Sequence, residues 1–464
     1  MLHAVLLSLA MTPSLLVVSP GADAKTPPAN VVILLADDLG WGDVSMNGRK
    51  TWHTPNIDKL AAQGIRFERF YTGAVVCAPS RGVLMTGKWT IHNGISGNND
   101  DLPMDQTTLA QALQKHGYAT ALFGKWHHGR PRPGQKSYRH PLDLGFEEFF
   151  GFTNARHAWE HFPKQLYHGR DLKPVSGYSD TLFADKAVEF ISRHTNKPFF
   201  MYVAFNAPHF HVEAPEEDLA AFRGKFPERD PKDPVRAAYA AAITRQDKEV
   251  GRILRALEDH KLAERTLVIF TSDHGATFEA GTKGAPAFHD SNHPFRGQKR
   301  TLWEGGIRVP AAARWTGTIP AGQVSRVPTH MSDLFPTALA AAGQTPDKAW
   351  KVTGVNMLEV WMGQAKPADR TLFWEWRVEG YYQLAAMRGD KKLVLTGERN
   401  PPELFDVVRD PAERINLLPE QRPLADQLNK ELQAWLATET DDSKWGRLPN
   451  KPAAKDALKS NAKP

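Results

Sequence analysis

The sequence predicts an α/β fold: a large, mostly parallel central sheet flanked by helices, with a smaller C-terminal α+β subdomain. Three observations carry this reading. Continuous apolar runs of strand length recur without alternation, as strands buried on both faces require. Segments with helical spacing separate them. From about Asp369 the texture changes to short runs set close together, which suits antiparallel strands. A chain of 464 residues also exceeds what one small core organises, so a large domain with a companion is expected.

The elements follow in order. Residues 30–36 contain the run VVILLA and end in Asp37-Asp38, a buried strand with acids at its end. Residues 55–64 read as a helix, with Thr54 as its cap and Gly64 as its stop. A second helix spans 107–116 and leads into a strand at 118–123. Helical spacing over 179–194 precedes the apolar strand 198–205, and a long amphipathic helix over 236–260 feeds the strand 266–272. Residues 331–342 form another helix. Beyond it, 372–376, 383–388 and 392–395 read as short antiparallel strands, followed by a helix at 422–437. No internal repeat is visible.

Composition is ordinary for a folded protein, 41% hydrophobic and 24% charged. The net charge of +6 is spread along the chain and swollen by Lys451, Lys455, Lys459 and Lys463 near the end. It suits a solvated surface, and nucleic-acid binding has nothing beyond bulk charge in its favour. An apolar run over 4–19, without Lys or Arg before it, is followed by Gly21-Ala22-Asp23-Ala24, which reads as an export signal cleaved after Ala24. Pro13 and the short length argue against a membrane span. We therefore expect an exported protein, periplasmic or extracellular, with no membrane partner. The chain has one cysteine, so no intrachain disulfide forms, and a lone thiol in an oxidising compartment needs a reason. That thiol is Cys77.

In an open parallel sheet, ligands collect at the carboxyl ends of the strands. Here those ends carry Asp37-Asp38, Gly124-Lys125-Trp126-His127, Asn206-Ala207-Pro208-His209 and Asp273-His274-Gly275. Any one has an ordinary structural explanation, as a turn residue or a helix cap. Together they describe a hard-cation site with polar groups around an anion, for which carboxylates favour Ca²⁺ or Mg²⁺. Residues 77–87 also read as a helix with Cys77 as its cap and Pro79 in the first turn, a helix end suited to an anion.

Within 77–87, Cys-x-Pro-Ser-Arg followed by Leu-x-Thr-Gly resembles the signature of type I sulfatases, in the alkaline phosphatase superfamily. The similarity extends to segments 35–43, 124–127, 207–209, 272–275 and 304–310, and to 403–406, 410–411 and 416–417 near the end. The resemblance implies an alkaline phosphatase-like sulfatase domain over 25–368, after a signal peptide at 1–24. A C-terminal subdomain at 369–445 and a flexible basic tail at 446–464 complete the expected organisation. It implies that a formylglycine-generating maturation enzyme oxidises Cys77 to an aldehyde, hydrated in the resting site. One hydroxyl then attacks sulfur and expels the alcohol, and deprotonation of the second releases sulfate without water attacking the sulfated intermediate at sulfur. By the same resemblance Asp37, Asp38, Asp273 and His274, with Cys77, hold the metal, expected as Ca²⁺ with Mg²⁺ as the alternative. Many relatives place Asn where this chain has His274. Arg81 stabilises the aldehyde hydrate, and Lys125 and Lys299 clamp sulfate oxygens. His127 is the base for elimination, and His209 the leaving-group acid. Lys299 is followed by Arg300 where relatives commonly have Gly, which makes Arg300 an outside candidate for the same role.

The expected substrate is a sulfated glycan or a small sulfate ester. Basic and histidine-rich segments could read further anions on a glycan: His128, Arg130, Arg132, Arg156, His157, His161, His211, His289 and His293, with Trp159 to stack on a sugar. Similarity to N-acetylgalactosamine 6-sulfatase-like and arylsulfatase A-like enzymes points the same way. A phosphonate or phosphate monoester hydrolase of the same superfamily is the enzymatic alternative, and a non-catalytic glycan-binding protein the remote one.

Overall fold

The computed structural model describes residues 29–129 and 139–439, so the expected leader (1–24) and tail (446–464), and Arg130 and Arg132, lie outside the described residues. The strand Asn30–Asp37 is buried along its whole length. It pairs in parallel with Phe199–Pro208 on one side and Thr266–Ser272 on the other. Ala119–Lys125 continues the parallel order beyond Phe199–Pro208, and Glu148–Phe152 continues it further. The unbroken apolar runs belong to this parallel centre. The margins are mixed: Ala311–Arg314 runs antiparallel to Thr266–Ser272, and Gln165–His168 antiparallel to Glu148–Phe152. The sheet has ten strands among the described residues.

Strand residues alternate between two faces, which builds two cores. Val32, Leu34 and Ala36 pack on one face with the helices Pro55–Ala62, Ser179–Arg193 and Val235–Asp259. Val31, Ile33 and Leu35 pack on the other with Cys77–Thr86, Leu109–Gln114 and Leu334–Ala341. The fold class is as expected, and its edges differ in detail. Thr54 makes no side-chain cap; instead the Asp247 carboxylate accepts the amides of Asn56 and Ile57 at 3.0 and 2.8 Å. Cys77 is the first residue of its helix rather than the cap, which is Val76. The segment 331–342 divides into a 3-10 turn, Met331–Asp333, and the helix Leu334–Ala341, because the Asp333 side chain turns back to accept the His330 amide.

The C-terminal region forms a four-stranded antiparallel sheet, Thr371–Val378, Tyr381–Arg388, Lys391–Thr396 and Glu403–Asp406. Its fourth strand is the Glu-Leu-Phe-Asp segment. One face packs Leu384, Leu393 and Leu404 on the helix Arg422–Leu436. The other packs Trp374, Met387 and Phe405 on Tyr71, Val75 and Leu302, next to the segment leading into Cys77. Among the described residues no helix is long and apolar enough to cross a membrane.

Candidate active site

The carboxyl ends of the central strands converge where the sequence expects. Asp37 ends one strand and Asp38 follows it, Lys125 ends the next but one, and Asp273 and His274 follow Thr266–Ser272. On a regular strand, consecutive side chains point to opposite faces. Asp38 escapes this with φ +66°, a left-handed conformation that few residues other than Gly adopt. One carboxylate oxygen each from Asp37 and Asp38, the Cys77 sulfur and a His274 ring nitrogen thus lie within 4.8 Å of one another, all buried. Gly275 lets that turn close: a Cβ there would sit 1.8 Å from the Gly305 carbonyl oxygen.

Charge in the cluster is closely matched. Lys125 Nζ donates to Asp37 Oδ2 at 2.6 Å, and Lys299 Nζ to Asp38 Oδ1 at 2.9 Å. Arg81, fully buried, donates through Nε and Nη2 to Asp273 Oδ2 at 3.1 and 3.0 Å and through Nη1 to the Lys125 carbonyl. Asp273 Oδ1 accepts the Asp38 amide, so Asp273 stands beside the four-residue cluster with its oxygens engaged. His274 Nδ1 donates to the Gly275 carbonyl, which leaves Nε2 facing Cys77 Sγ at 3.1 Å and Asp38 Oδ1 at 3.3 Å.

These neighbours shift the titrations. Burial opposes ionisation of Cys77, yet Lys125, Lys299 and His274 pull its thiol well below the ordinary range. Burial likewise opposes charge on Asp37, and Lys125 overrides it, keeping the carboxyl ionised. Burial, with Asp37 nearby, pushes Asp273 up to about 7. His127 goes the other way: burial holds its imidazole at about 4, and Cys77 offsets this only in part. Its backbone also has positive φ, +74°, and neither ring nitrogen has a hydrogen-bond partner among the described residues. His209 Nδ1 donates to the Phe210 carbonyl, leaving Nε2 3.8 Å from Asp38 Oδ2.

Above Cys77 opens a cavity of about 500 Å³, lined among others by His127, His209, Lys299, Arg156, Trp159 and Arg300. Arg300 lies at its mouth, half-exposed, with Nε on Glu279 Oε1 at 2.7 Å. Of the loop candidates, Arg156 and Trp159 line the cavity and the histidines do not. His157 donates to the Gln165 carbonyl, His289 stacks on Tyr239, His293 pairs with Asp290, and His128 is buried against Trp126. His161 is also buried, donating through Nε2 to the His209 carbonyl at 2.9 Å, so it supports His209 from behind. Asn98, Asn99, Asn154, Phe210 and Glu279 also line the cavity. Sequence reasoning missed them, since each sits in a loop whose spelling carries no metal or anion signal.

The donor set suits a hard divalent cation. Carboxylate oxygens and one imidazole nitrogen converge, and Asp37 Oδ1 is a buried oxygen without a hydrogen-bond donor, 3.3 Å from Arg81 Nη2.

Residues 29–344 match the family model described as Sulfatase. Over 408 residues the chain is 33% identical to N-acetylgalactosamine-6-sulfatase from Homo sapiens, covering 80% of this chain and 72% of that relative. Arylsulfatase G from Homo sapiens is 33% identical over 385 residues, covering 74% and 71%. Among solved structures, Ps i-CgsB in complex with k-i-k-neocarrahexaose aligns with a TM-score of 0.80 at 27% identity, covering 94% of this chain and 98% of that one.

Proposed function

The chain belongs to the sulfatase family, and we propose that it cleaves sulfate esters of a sulfated carbohydrate through a formylglycine made from Cys77. It is a sulfuric ester hydrolase. The observation that carries the finer reading is the setting of Cys77, buried at the start of its helix, beside an acidic cluster and two lysines, and lining a cavity wide enough for a sugar. The carbohydrate is supported by relatives: one is named for N-acetylgalactosamine 6-sulfate chemistry, and a structural neighbour holds a neocarrahexaose.

Asp37, Asp38 and His274, with Asp273 beside them and position 77, are the residues that would hold the cation, expected as Ca²⁺ with Mg²⁺ as the alternative. When present, the hydrated aldehyde supplies one hydroxyl to attack sulfur and a second whose loss of a proton releases sulfate, and the cation supplies positive charge to the sulfate oxygens. Lys125 and Lys299 add two buried cations against those oxygens, and the helix N-terminus at Cys77 adds the positive end of its dipole. Arg81 holds Asp273 and Asp37 in place around the reacting carbon. His127 is neutral at pH 7, since burial keeps its imidazole near 4, so it is ready to accept the proton of the elimination step. His209 presents Nε2 toward the cavity and gives a proton to the departing sugar oxygen. Export and maturation by a formylglycine-generating enzyme complete the proposal.

A peptide mass spectrum across residues 70–81, after co-expression with a formylglycine-generating enzyme, tests the central point. The expected mass is that of the aldehyde or its hydrate at Cys77, with sulfate release abolished in Cys77→Ala. Undiminished sulfate release from an unmodified thiol, or from the alanine variant, overturns it. Turnover of matched phosphate esters in preference to sulfate esters would favour the phosphatase alternative.

A further inference from the structure

The cavity over Cys77 is far larger than one sulfate group, and its positive charges are unequally committed. Three cations line it: Lys299, Arg300 and Arg156. Lys299 is paired with Asp38 and Arg300 with Glu279. Arg156 is exposed and makes no ion pair or side-chain hydrogen bond among the described residues. Its backbone is nonetheless well fixed. The Asn154 side-chain oxygen accepts the His157 amide at 3.1 Å, and the Arg156 carbonyl accepts the Trp159 amide at 3.3 Å. The same turn sends the Trp159 indole to the cavity, packed against Phe210 at 5.3 Å between ring centroids. A free guanidinium fork and an aromatic surface on one ordered turn are the usual means of holding an anionic sugar.

We propose that the turn 154–159 is a subsite for a second anion, in which Arg156 binds a carboxylate or sulfate of the substrate other than the ester being cleaved. The substrate class is then a saccharide with at least two anionic groups, one placed at Cys77 and one carried on a neighbouring position or ring. This rests on the sulfatase reading of the same cavity. The guanidinium recognises carboxylate and sulfate by the same paired hydrogen bonds, so the sugar that bears the group is decided by experiment.

The test uses the full, matured chain and three matched disaccharides: one with a single sulfate, one with that sulfate and a uronate carboxylate, and one with two sulfates. In Arg156→Ala, kcat/KM should fall about 10- to 100-fold on at least one dianionic substrate, through KM, and stay within about twofold on the monosulfated one. Arg156→Lys should recover part of the loss, and the dianionic substrate affected identifies the bound group. Equal losses on all three, or none on any, overturn the subsite. Should the wild-type chain hydrolyse none of them, these sugars are not its substrates, a failure separate from Arg156. Calorimetric binding of the dianionic disaccharides to unmatured protein then decides the subsite separately: weaker binding of at least one by Arg156→Ala supports it, and unchanged binding of both overturns it.

Discussion

Asp38 shows how much of this site is made by one backbone angle. Its φ of +66° turns the side chain onto the same cluster as Asp37, and two cavity residues, His127 and Arg300, share the left-handed conformation at +74° and +70°. Such angles cost energy in non-glycine residues and persist where surrounding contacts hold them, commonly at functional sites. Asn tolerates this conformation well, so Asp38→Asn separates charge from shape. We expect that variant to lose bound divalent metal, with kcat/KM down at least about 100-fold, and to melt lower because the buried Lys299 loses its paired charge. Retained metal with undiminished turnover would remove Asp38 from the site. The acidic pair was legible in the sequence because both residues follow a buried apolar run. The angle that makes them cooperate was not, since nothing in the spelling Asp-Asp distinguishes it from an ordinary turn.

Elements were legible to the degree that burial alone dictates them. The run at 30–36 reads as a strand covered on both faces and is one, and the long 236–260 spacing appears as the helix Val235–Asp259. Where a partner distant in sequence decides, the sequence misleads: Thr54 looks like a cap, but Asp247, far along the chain, takes the amides. Asp180 is a second such partner. At the start of Ser179–Arg193 its carboxylate accepts the amides of Asn206 and Ala207 at 2.8 and 3.2 Å, underpinning the loop that carries His209. Burial nonetheless raises its pKa to about 7, against these hydrogen bonds. The folded state therefore keeps a proton that the unfolded chain gives up near pH 4. Asp180 should cost stability progressively as pH rises from about 4 to about 7, by a few kcal/mol in all, with no further change above. Asp180→Asn, which keeps an acceptor oxygen, should flatten that slope in denaturant titrations between pH 4 and 8. An unchanged slope would mean that Asp180 titrates normally.

At the scale of the whole molecule, the C-terminal sheet is more than an attachment, because it grips the segment that follows Lys299. Lys392, fully buried on that sheet, donates to the Leu302 carbonyl at 3.1 Å and pairs with Glu304 and Glu413, each at 2.7 Å. Glu413 in turn accepts the Glu304 amide at 2.7 Å, and Gln383 accepts the Leu302 amide at 2.8 Å. The resemblance of 304–310 to a sulfatase segment was visible in the sequence, but the clasp on it was not, since Lys392 reads as one residue of a short strand. Burial works against charge on both acids. Lys392 and Arg308 keep Glu304 ionised, whereas burial and the neighbouring Glu304 charge raise Glu413 to about 7. Removing the lysine leaves Glu413 without its cation, facing a Glu304 that keeps only Arg308, and breaking a buried pair in this way costs about 3–5 kcal/mol. Lys392→Met should therefore lower the melting temperature sharply at pH 8 and less at pH 5, where Glu413 takes up a proton. Adding Glu413→Gln should restore much of the stability by removing the repulsion. Because the clasp also fixes the approach to Lys299, the single variant should lose kcat in proportion to the loosening of 299–304, which hydrogen exchange of the Leu302 and Glu304 amides would report. A Lys392→Met protein with wild-type melting and unaltered exchange would show that the triad is a bystander, and that packing of Trp374, Met387 and Phe405 holds the two sheets together without it.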